Sequence, residues 1–195
     1  MILYINACVR EKSRTRRIAE YLFSKMNDMI EEVRTAELQL PETDQAFLTN
    51  RDRLIAERKF DAPCFDLARQ FAGADTIVIA APYWDLSFPA SLKKYFEHIN
   101  AIDVTFGYSS EGVPLSLCRA KKLFYITTAG GKIVSDEYGF GYVKALSDRF
   151  YMIPEIMQIK AEGLDIQGAD AESIVLDAEK EIDRLYSKLD NAFSD

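Results

Sequence analysis

The chain has 195 residues of ordinary globular composition, 48% apolar, 28% charged and 12% aromatic, enough to close one core without a disulfide or metal staple. Its 24 Lys and Arg against 31 Asp and Glu leave a net charge of −7, which repels nucleic acid and anionic membrane surfaces, and the one basic cluster, VREKSRTRR at 9–17, is too short to reverse that. Three scattered cysteines (Cys8, Cys64, Cys118) and a lone His98 offer neither a CxxC nor a zinc set and read as reduced thiols of a cytoplasmic protein, while no apolar run reaches signal-peptide or membrane-span length.

MILYINA (1–7) reads as a short buried strand, β-rich and almost continuously apolar. SRTRRIAEYLFSKM follows with Ile18, Leu22 and Met26 at helical spacing and Ser13 as N-cap. EEVRTAEL (31–38) is a more polar strand, as suits a sheet edge. Residues 41–61 carry Pro41, several charges and little periodicity, and read as a long connection with one helical turn. CFDLARQFAGA is a helix that Gly73 would close as a left-handed cap residue. DTIVIAAP is a central strand, apolar on both faces and closed by proline.

Pro89 then opens a helix with Leu92, Phe96 and Ile99 on one side. KKLFYITTAGG (121–131) repeats the pattern of apolar strand and glycine-rich loop. YGFGYVKALSDRF is helical, with Gly139 and Gly141 weakening its start. PEIMQIKAEG is a last strand, and DAESIVLDAEKEIDRLYSKL a terminal helix with Ile174, Ala178, Ile182, Leu185 and Leu189 on one side. Strands alternate with helices five times, so residues 1–195 are expected to form one α/β domain. Its architecture is a three-layer α/β/α sandwich around a five-stranded parallel sheet of order 2-1-3-4-5.

Ligands of such sheets bind beyond the C-terminal strand ends, where three loops gather. In the first, 7–15, the hydroxyls of Ser13 and Thr15, the free N–H groups of a helix start and the charge of Arg10 or Arg14 suit a phosphate, which the helix dipole favours by about 0.3–1 kcal/mol. No GxxxxGK[ST] is present, which excludes that kind of triphosphate site. Read alone, the loop is equally a capped helix with a solvated basic start. In the second, 82–88, Tyr83, Trp84, Leu86 and Phe88 are too apolar for an ordinary surface loop. They would clasp a flat ring, or pack on the core or a partner subunit. The third, TTAGG (127–131), places small residues where a backbone approaches something closely, or where a turn needs positive φ. Taken together, the three describe a flavin mononucleotide site.

The stretch APYWDLSFPASLKKYFEHI (81–99) resembles the flavin-binding segment of the FMN-dependent NADH-azoreductase and NAD(P)H:quinone oxidoreductase family. VTFGYSSEG (104–112), KKLFYITTAGG and AEGLDI (161–166) are similar to it in the same order. The resemblance runs from residue 1 to about 190. It implies a flavodoxin-like fold, bound FMN, no metal, and a homodimer with an active site at each subunit boundary. By position it puts phosphate contacts on Cys8, Ser13, Arg14 and Thr15, and ring contacts on Pro82, Tyr83, Trp84, Asp85 and Leu86. Thr128, Ala129, Gly130 and Gly131 fall at the pyrimidine edge, and Tyr108 and Phe150 in the substrate pocket.

Two positions depart from the family pattern. Cys8 replaces a common serine and removes one phosphate hydroxyl. Asp85 replaces asparagine, and a carboxylate accepts hydrogen bonds but donates none while ionised. The change is mild if the backbone N–H at 85 makes the ring contact, and lowers the flavin potential if the side chain does.

The implied activity is two-electron reduction of a quinone or azo compound, NADH or NADPH passing hydride to flavin N5 in a ping-pong cycle, with water or Tyr108 supplying protons. The rivals are an NAD(P)H:FMN reductase, a flavodoxin-type single-electron carrier, and a non-enzymatic dimer whose aromatic loop is an interface. His98, on a helix away from the loops, reads as structural.

Overall fold

The computed structural model describes the backbone of residues 1–192 and the side chains of residues 1–187. The chain runs β1 (Ile2–Asn6), α1 (Arg14–Phe23), β2 (Ile30–Arg34), α2 (Gln45–Ala56), a 3-10 turn (Pro63–Phe65), α3 (Asp66–Gly73), β3 (Thr76–Ala80) and α4 (Ala90–Ile99). It continues through β4 (Phe106–Tyr108), β5 (Pro114–Ser116), β6 (Lys122–Ala129), α5 (Phe140–Leu146), a π-helical turn (Ser147–Tyr151), β7 (Glu155–Glu162) and α6 (Ala171–Ala192).

The continuous apolar runs became the middle of the sheet. All of β1 is buried, as is β3 beyond Thr76, while β2, buried only at Val33, stands at an edge. The sheet order is β2-β1-β3-β6-β7 with every pair parallel, which is the expected 2-1-3-4-5. Register is pinned from the first residues: Ile2 faces Ile30 and Thr76, Thr76 faces Lys122, and Lys122 faces Glu155.

Strand side chains alternate between two cores. Leu3, Ile5, Ile77, Ile79, Leu123 and Tyr125 meet Phe71 of α3, Leu92, Tyr95, Phe96 and Ile99 of α4, and Val143 of α5. Ile2, Tyr4, Val78, Phe124 and Ile126 meet Ile18 and Leu22 of α1 and Val175, Ala178 and Ile182 of α6. The expected stripe on α6 is therefore real through Leu185, which packs against that core; Leu189 lies outside the described side chains.

Three local readings need correction, and one hairpin went unread. Residues 41–61 hold not one helical turn but the 12-residue α2, capped by Asp44, whose carboxylate accepts the Phe47 N–H at 2.8 Å; its one buried residue, Leu54, leaves almost no periodic signal. Gly73 is the last residue of α3 and has no positive φ, because the chain turns straight into extended Ala74 and β3. The two three-residue strands β4 and β5 pair antiparallel, a hairpin too short for a periodicity. The helix expected over 138–150 starts at Phe140 and widens into a π-helical turn after Leu146, ending at Met152 in the left-handed region (φ 48). His98 is structural, as read: it is buried, its Nε2 lies 3.1 Å from the Pro41 carbonyl and its ring 4.8 Å from Phe47.

Candidate functional site

Beyond the C-terminal ends of β1, β3, β6 and β7 lies a cleft of about 390 Å³, of a size typical for small-molecule sites and at the point where the strand order reverses. Its walls take Cys8, Val9, Arg10, Lys12, Ser13, Arg14 and Thr15 from the first loop, Pro82, Tyr83 and Trp84 from the second, and Thr128, Ala129 and Gly130 from the third. Leu164 and Asp165, from the loop after β7, complete it. Asp85, Leu86 and Gly131 lie outside that lining, as do Tyr108 and Phe150.

The first loop is built around the capped start of α1. Ser13 Oγ caps α1 by accepting the Arg16 N–H at 3.2 Å, which leaves the N–H groups of Arg14 and Thr15 without a helical carbonyl and turned to the cleft end of the helix. α1 itself is clamped to α6: Arg17 bonds both Glu172 oxygens, at 2.7 and 2.6 Å, and Glu179 at 3.1 Å, and the Tyr21 hydroxyl donates to Asp183. The loop start is fixed by Asn6, whose Oδ1 accepts the Cys8 N–H at 2.9 Å. The Cys8 thiol faces the Ala80 carbonyl at 3.6 Å, and burial pushes its pKa up, so it stays a protonated, weak donor directed at the floor of the cleft.

The second loop divides its bulky residues. Phe88 is core, packed on Phe96 and Tyr142. Tyr83 is bolted to β6 by its N–H to the Thr128 carbonyl at 2.9 Å, continuing the ladder past β3, and its own hydroxyl is buried with no hydrogen-bond partner among the described residues. Trp84 and Leu86 stay 38% and 51% exposed. Between Trp84 and Ser87, joined by reciprocal backbone bonds of 3.1 and 2.8 Å, Asp85 and Leu86 have φ of 49° and 67°. Positive φ at both central positions is the signature of a type I′ turn, normally left to Asn and Gly. The turn is tied down at Ser87, whose hydroxyl donates to the Tyr138 carbonyl.

The third loop is held from two sides. Thr128 Oγ1 and Thr15 Oγ1 are 2.7 Å apart and buried. The N–H groups of Gly163, Leu164 and Asp165 bond the carbonyls of Gly131, Ala129 and Gly130 at 2.8, 3.2 and 2.9 Å. The Glu162 carboxylate accepts the Ile133 N–H at 3.0 Å and pairs with Lys132, contacts that hold its pKa below the usual carboxylate range. Neither Gly130 nor Gly131 has positive φ. Gly130 serves close approach instead, because a Cβ there would stand 2.5 Å from Asp165 Oδ2.

Sequence reading missed Asp165 and Leu164 as walls of the cleft. AEGLDI stood out only as a matching stretch; the physical signal in it is Gly163, whose φ of 83° folds the strand end back across β6. Tyr108 and Phe150 are brought together elsewhere, on either side of Phe106, at ring distances of 5.8 and 4.3 Å. Tyr108 is exposed, as are Val113 and Leu115 of the same hairpin, though the pairing of Tyr108 with Pro114 and of Gly107 with Leu115 sets Leu115 on the hairpin's opposite face. Among the described residues no cluster of His, Cys, Asp and Glu is arranged to hold a metal ion, and no helix is long and apolar enough to cross a membrane.

The cleft thus offers N–H donors, a hydroxyl and three cations at one end and Pro82, Tyr83 and Trp84 at another, a match for a ligand with an anionic tail and a flat ring. Residues 1–185 match a family described as having a flavodoxin-like fold. The chain is 34% identical to an FMN-dependent NADH:quinone oxidoreductase of Coprothermobacter proteolyticus, the alignment covering 94% of this chain and 96% of the relative. It is 35% identical to one of Clostridium beijerinckii, with 91% and 93% covered. Among solved structures, an azoreductase of Bacillus anthracis superposes with a TM-score of 0.80 at 23% identity, covering 96% of this chain and 98% of the other. An FMN-dependent NADH-azoreductase from the same species, in complex with FMN, superposes at 0.78 and 23%, with the same coverage.

Proposed function

The chain belongs to the family with the flavodoxin-like fold, and from that premise we propose that it is an FMN-dependent NAD(P)H oxidoreductase that reduces quinones or azo compounds. The observation that carries this reading is the meeting, in one cleft, of the capped start of α1 with Tyr83 and Trp84, in a chain about a third identical over nine-tenths of its length to relatives bearing that name.

The residues present fit FMN. Its phosphate would be held by Ser13, the N–H groups of Arg14 and Thr15, and Arg14, with Lys12 and Arg10 adding charge; the Cys8 thiol, turned to Ala80 and beside the Ser13 and Thr15 hydroxyls, would be at most a weak donor. The isoalloxazine would lie against Pro82, Tyr83 and Trp84, with Thr128, Ala129 and Gly130 at its polar edge and the unpartnered Tyr83 hydroxyl available as a donor. FMN held by these residues would supply the two-electron chemistry, hydride uptake at flavin N5 from NADH or NADPH and ping-pong transfer to the acceptor being part of the proposal. The protein's part is orientation. The Thr15–Thr128 hydrogen bond would hold the phosphate end at a set distance from the ring edge, and the type I′ turn holds Trp84 at the cleft wall.

Asp85 sits exposed at the tip of that turn and outside the cleft lining, with its carboxylate in solvent. Tyr108 and Phe150 lie outside the cleft, around a hairpin that also exposes Val113 and Leu115, which supports a homodimer in which this hairpin of one subunit walls the pocket of the other.

The test is spectroscopic. Protein loaded with FMN and desalted is titrated anaerobically with NADH, then with benzoquinone. Retained flavin that bleaches in one two-electron step and recovers with quinone supports the proposal. A persistent semiquinone would point to an electron carrier, rapid loss of flavin on desalting to a reductase that uses FMN as substrate, and a protein that takes up no flavin would overturn the site.

A further inference from the structure

Arg14 is the side chain of the cradle best able to grip a phosphate, and Asp165 already holds it. Arg14 Nη1 lies 2.9 Å from Asp165 Oδ1, with both side chains partly solvated. The carboxylate is placed there by the fold. The backbone bonds of Gly163, Leu164 and Asp165 zip this loop onto the end of β6, and the absent side chain at Gly130 makes the room that Asp165 Oδ2 fills. Asp165 is the one acid among the residues lining the cleft, opposite Arg10, Lys12 and Arg14.

Resting on the reading of the cleft as an FMN site, we propose that Asp165 governs the exchange and selectivity of the flavin, as an internal counter-ion that occupies Arg14 and competes with the incoming phosphate. A phosphate must share Arg14 with the carboxylate or displace it, and the carboxylate repels the dianion at close range. Binding of the phosphorylated flavin is weakened and its release hastened. Riboflavin, with the same ring and ribityl chain but no phosphate, does not feel that competition, so Asp165 narrows the margin by which FMN is preferred.

The experiment is a fluorescence titration of flavin-free protein with FMN and, separately, with riboflavin, comparing wild type with Asp165→Asn at low and high salt. Asp165→Ser serves as a second variant, and urea unfolding checks that each is folded. The expected result is an FMN Kd about fivefold lower in both variants at low salt, the scale of one partly solvated charge removed at contact distance. That gain should shrink at high salt and in an Arg14→Gln background, while the riboflavin Kd stays put. Weaker binding of both flavins would mean that the carboxylate instead accepts a ribityl hydroxyl, and would overturn the proposal, as would an unchanged FMN Kd or equal tightening of riboflavin. Wild-type protein that binds neither flavin overturns the FMN reading together with the inference built on it. Wild type that binds FMN, with variants that do not differ from it, overturns the inference alone.

Discussion

Thr15 Oγ1 and Thr128 Oγ1 share a buried hydrogen bond of 2.7 Å that joins the first turn of α1 to the end of β6 across 113 residues. The sequence marks each as a candidate site residue but gives no sign that they are partners, and the bond fixes the distance between the start of α1 and the backbone edge of the third loop. Replacing Thr15 by Val keeps the shape and strands the Thr128 hydroxyl, at a cost of about 1–3 kcal/mol. The double substitution Thr15→Val with Thr128→Val leaves no orphan and should recover much of that loss. Urea unfolding of the two single variants and the double variant gives the coupling directly, and strictly additive losses would mean the hydroxyls do not depend on one another.

Leu86 should be replaceable with profit. Its φ of 67° is costly for a side chain with a Cβ, and half of that side chain is in water, so little packing is at stake. Leu86→Gly relieves about 1–2 kcal/mol of left-handed strain and gives back about 0.5–1 kcal/mol through greater freedom of the unfolded chain. A modest net rise in the urea midpoint follows, with no change in slope. Leu86→Val, β-branched, should fall below wild type. If Gly and Val variants are equally stable, the turn does not hold Leu86 where the structure has it.

The sequence reading and the structure agree where burial is two-sided. Strands such as TIVIA, covered on both faces, need apolar residues throughout and announce themselves, and Ser13 before a helical stripe marks a helix start. α2 escaped because Leu54 is its one buried residue, with the adjacent Ile55 only partly buried against the same core, so its sequence carries almost no stripe. The hairpin of β4 and β5 escaped because three residues hold no period. Within the cleft, the first three loops were legible because hydroxyls, aromatics and glycines are unusual there. Asp165 was not, since an acid in a polar loop is what any surface offers; only the backbone bonds from 163–165 to 129–131 bring it to the wall.

His98 gives the fold a pH dependence. Burial lowers its pKa from the ordinary 6.5, with Lys94 and Arg51 adding to the effect, while the hydrogen bond to Pro41 and the charge of Glu97 oppose it. The unfolded chain therefore takes up a proton at His98 at a higher pH than the folded one. Stability is intact above about 6.5 and declines as the pH falls through the lower folded value. His98→Gln removes the titration and should flatten the unfolding free energy between pH 7 and roughly pH 5.5, above the range where the carboxylates begin to contribute. An unchanged slope in the variant would assign the dependence to other groups.

Gly130→Ala tests why a glycine stands on the cleft wall. The backbone there has no positive φ, so alanine meets no conformational penalty. Its Cβ meets Asp165 instead, at 2.5 Å from Oδ2, 3.2 Å from Cγ and 3.3 Å from Cβ; the carboxylate, more than half exposed, can turn toward solvent, and the Asp165 Cβ has to give by a few tenths of an ångström. The lost exposed ion pair costs about 0.2–1 kcal/mol, and the stiffer unfolded chain returns about 0.4–1 kcal/mol, so overall stability should barely move. What should change is the partnership. In wild type, Arg14→Gln removes a paired charge; in the Gly130→Ala background it removes an unpaired one, and its effect on stability should shrink at low salt and become alike in both backgrounds near 1 M salt, where the pair is screened. A loss of about 3 kcal/mol or more in Gly130→Ala would mean that the backbone bonds of 163–165 to 129–131 have given way instead of the side chain. The glycine would then serve the zipper of the two loops, and the seat of Asp165 only through it.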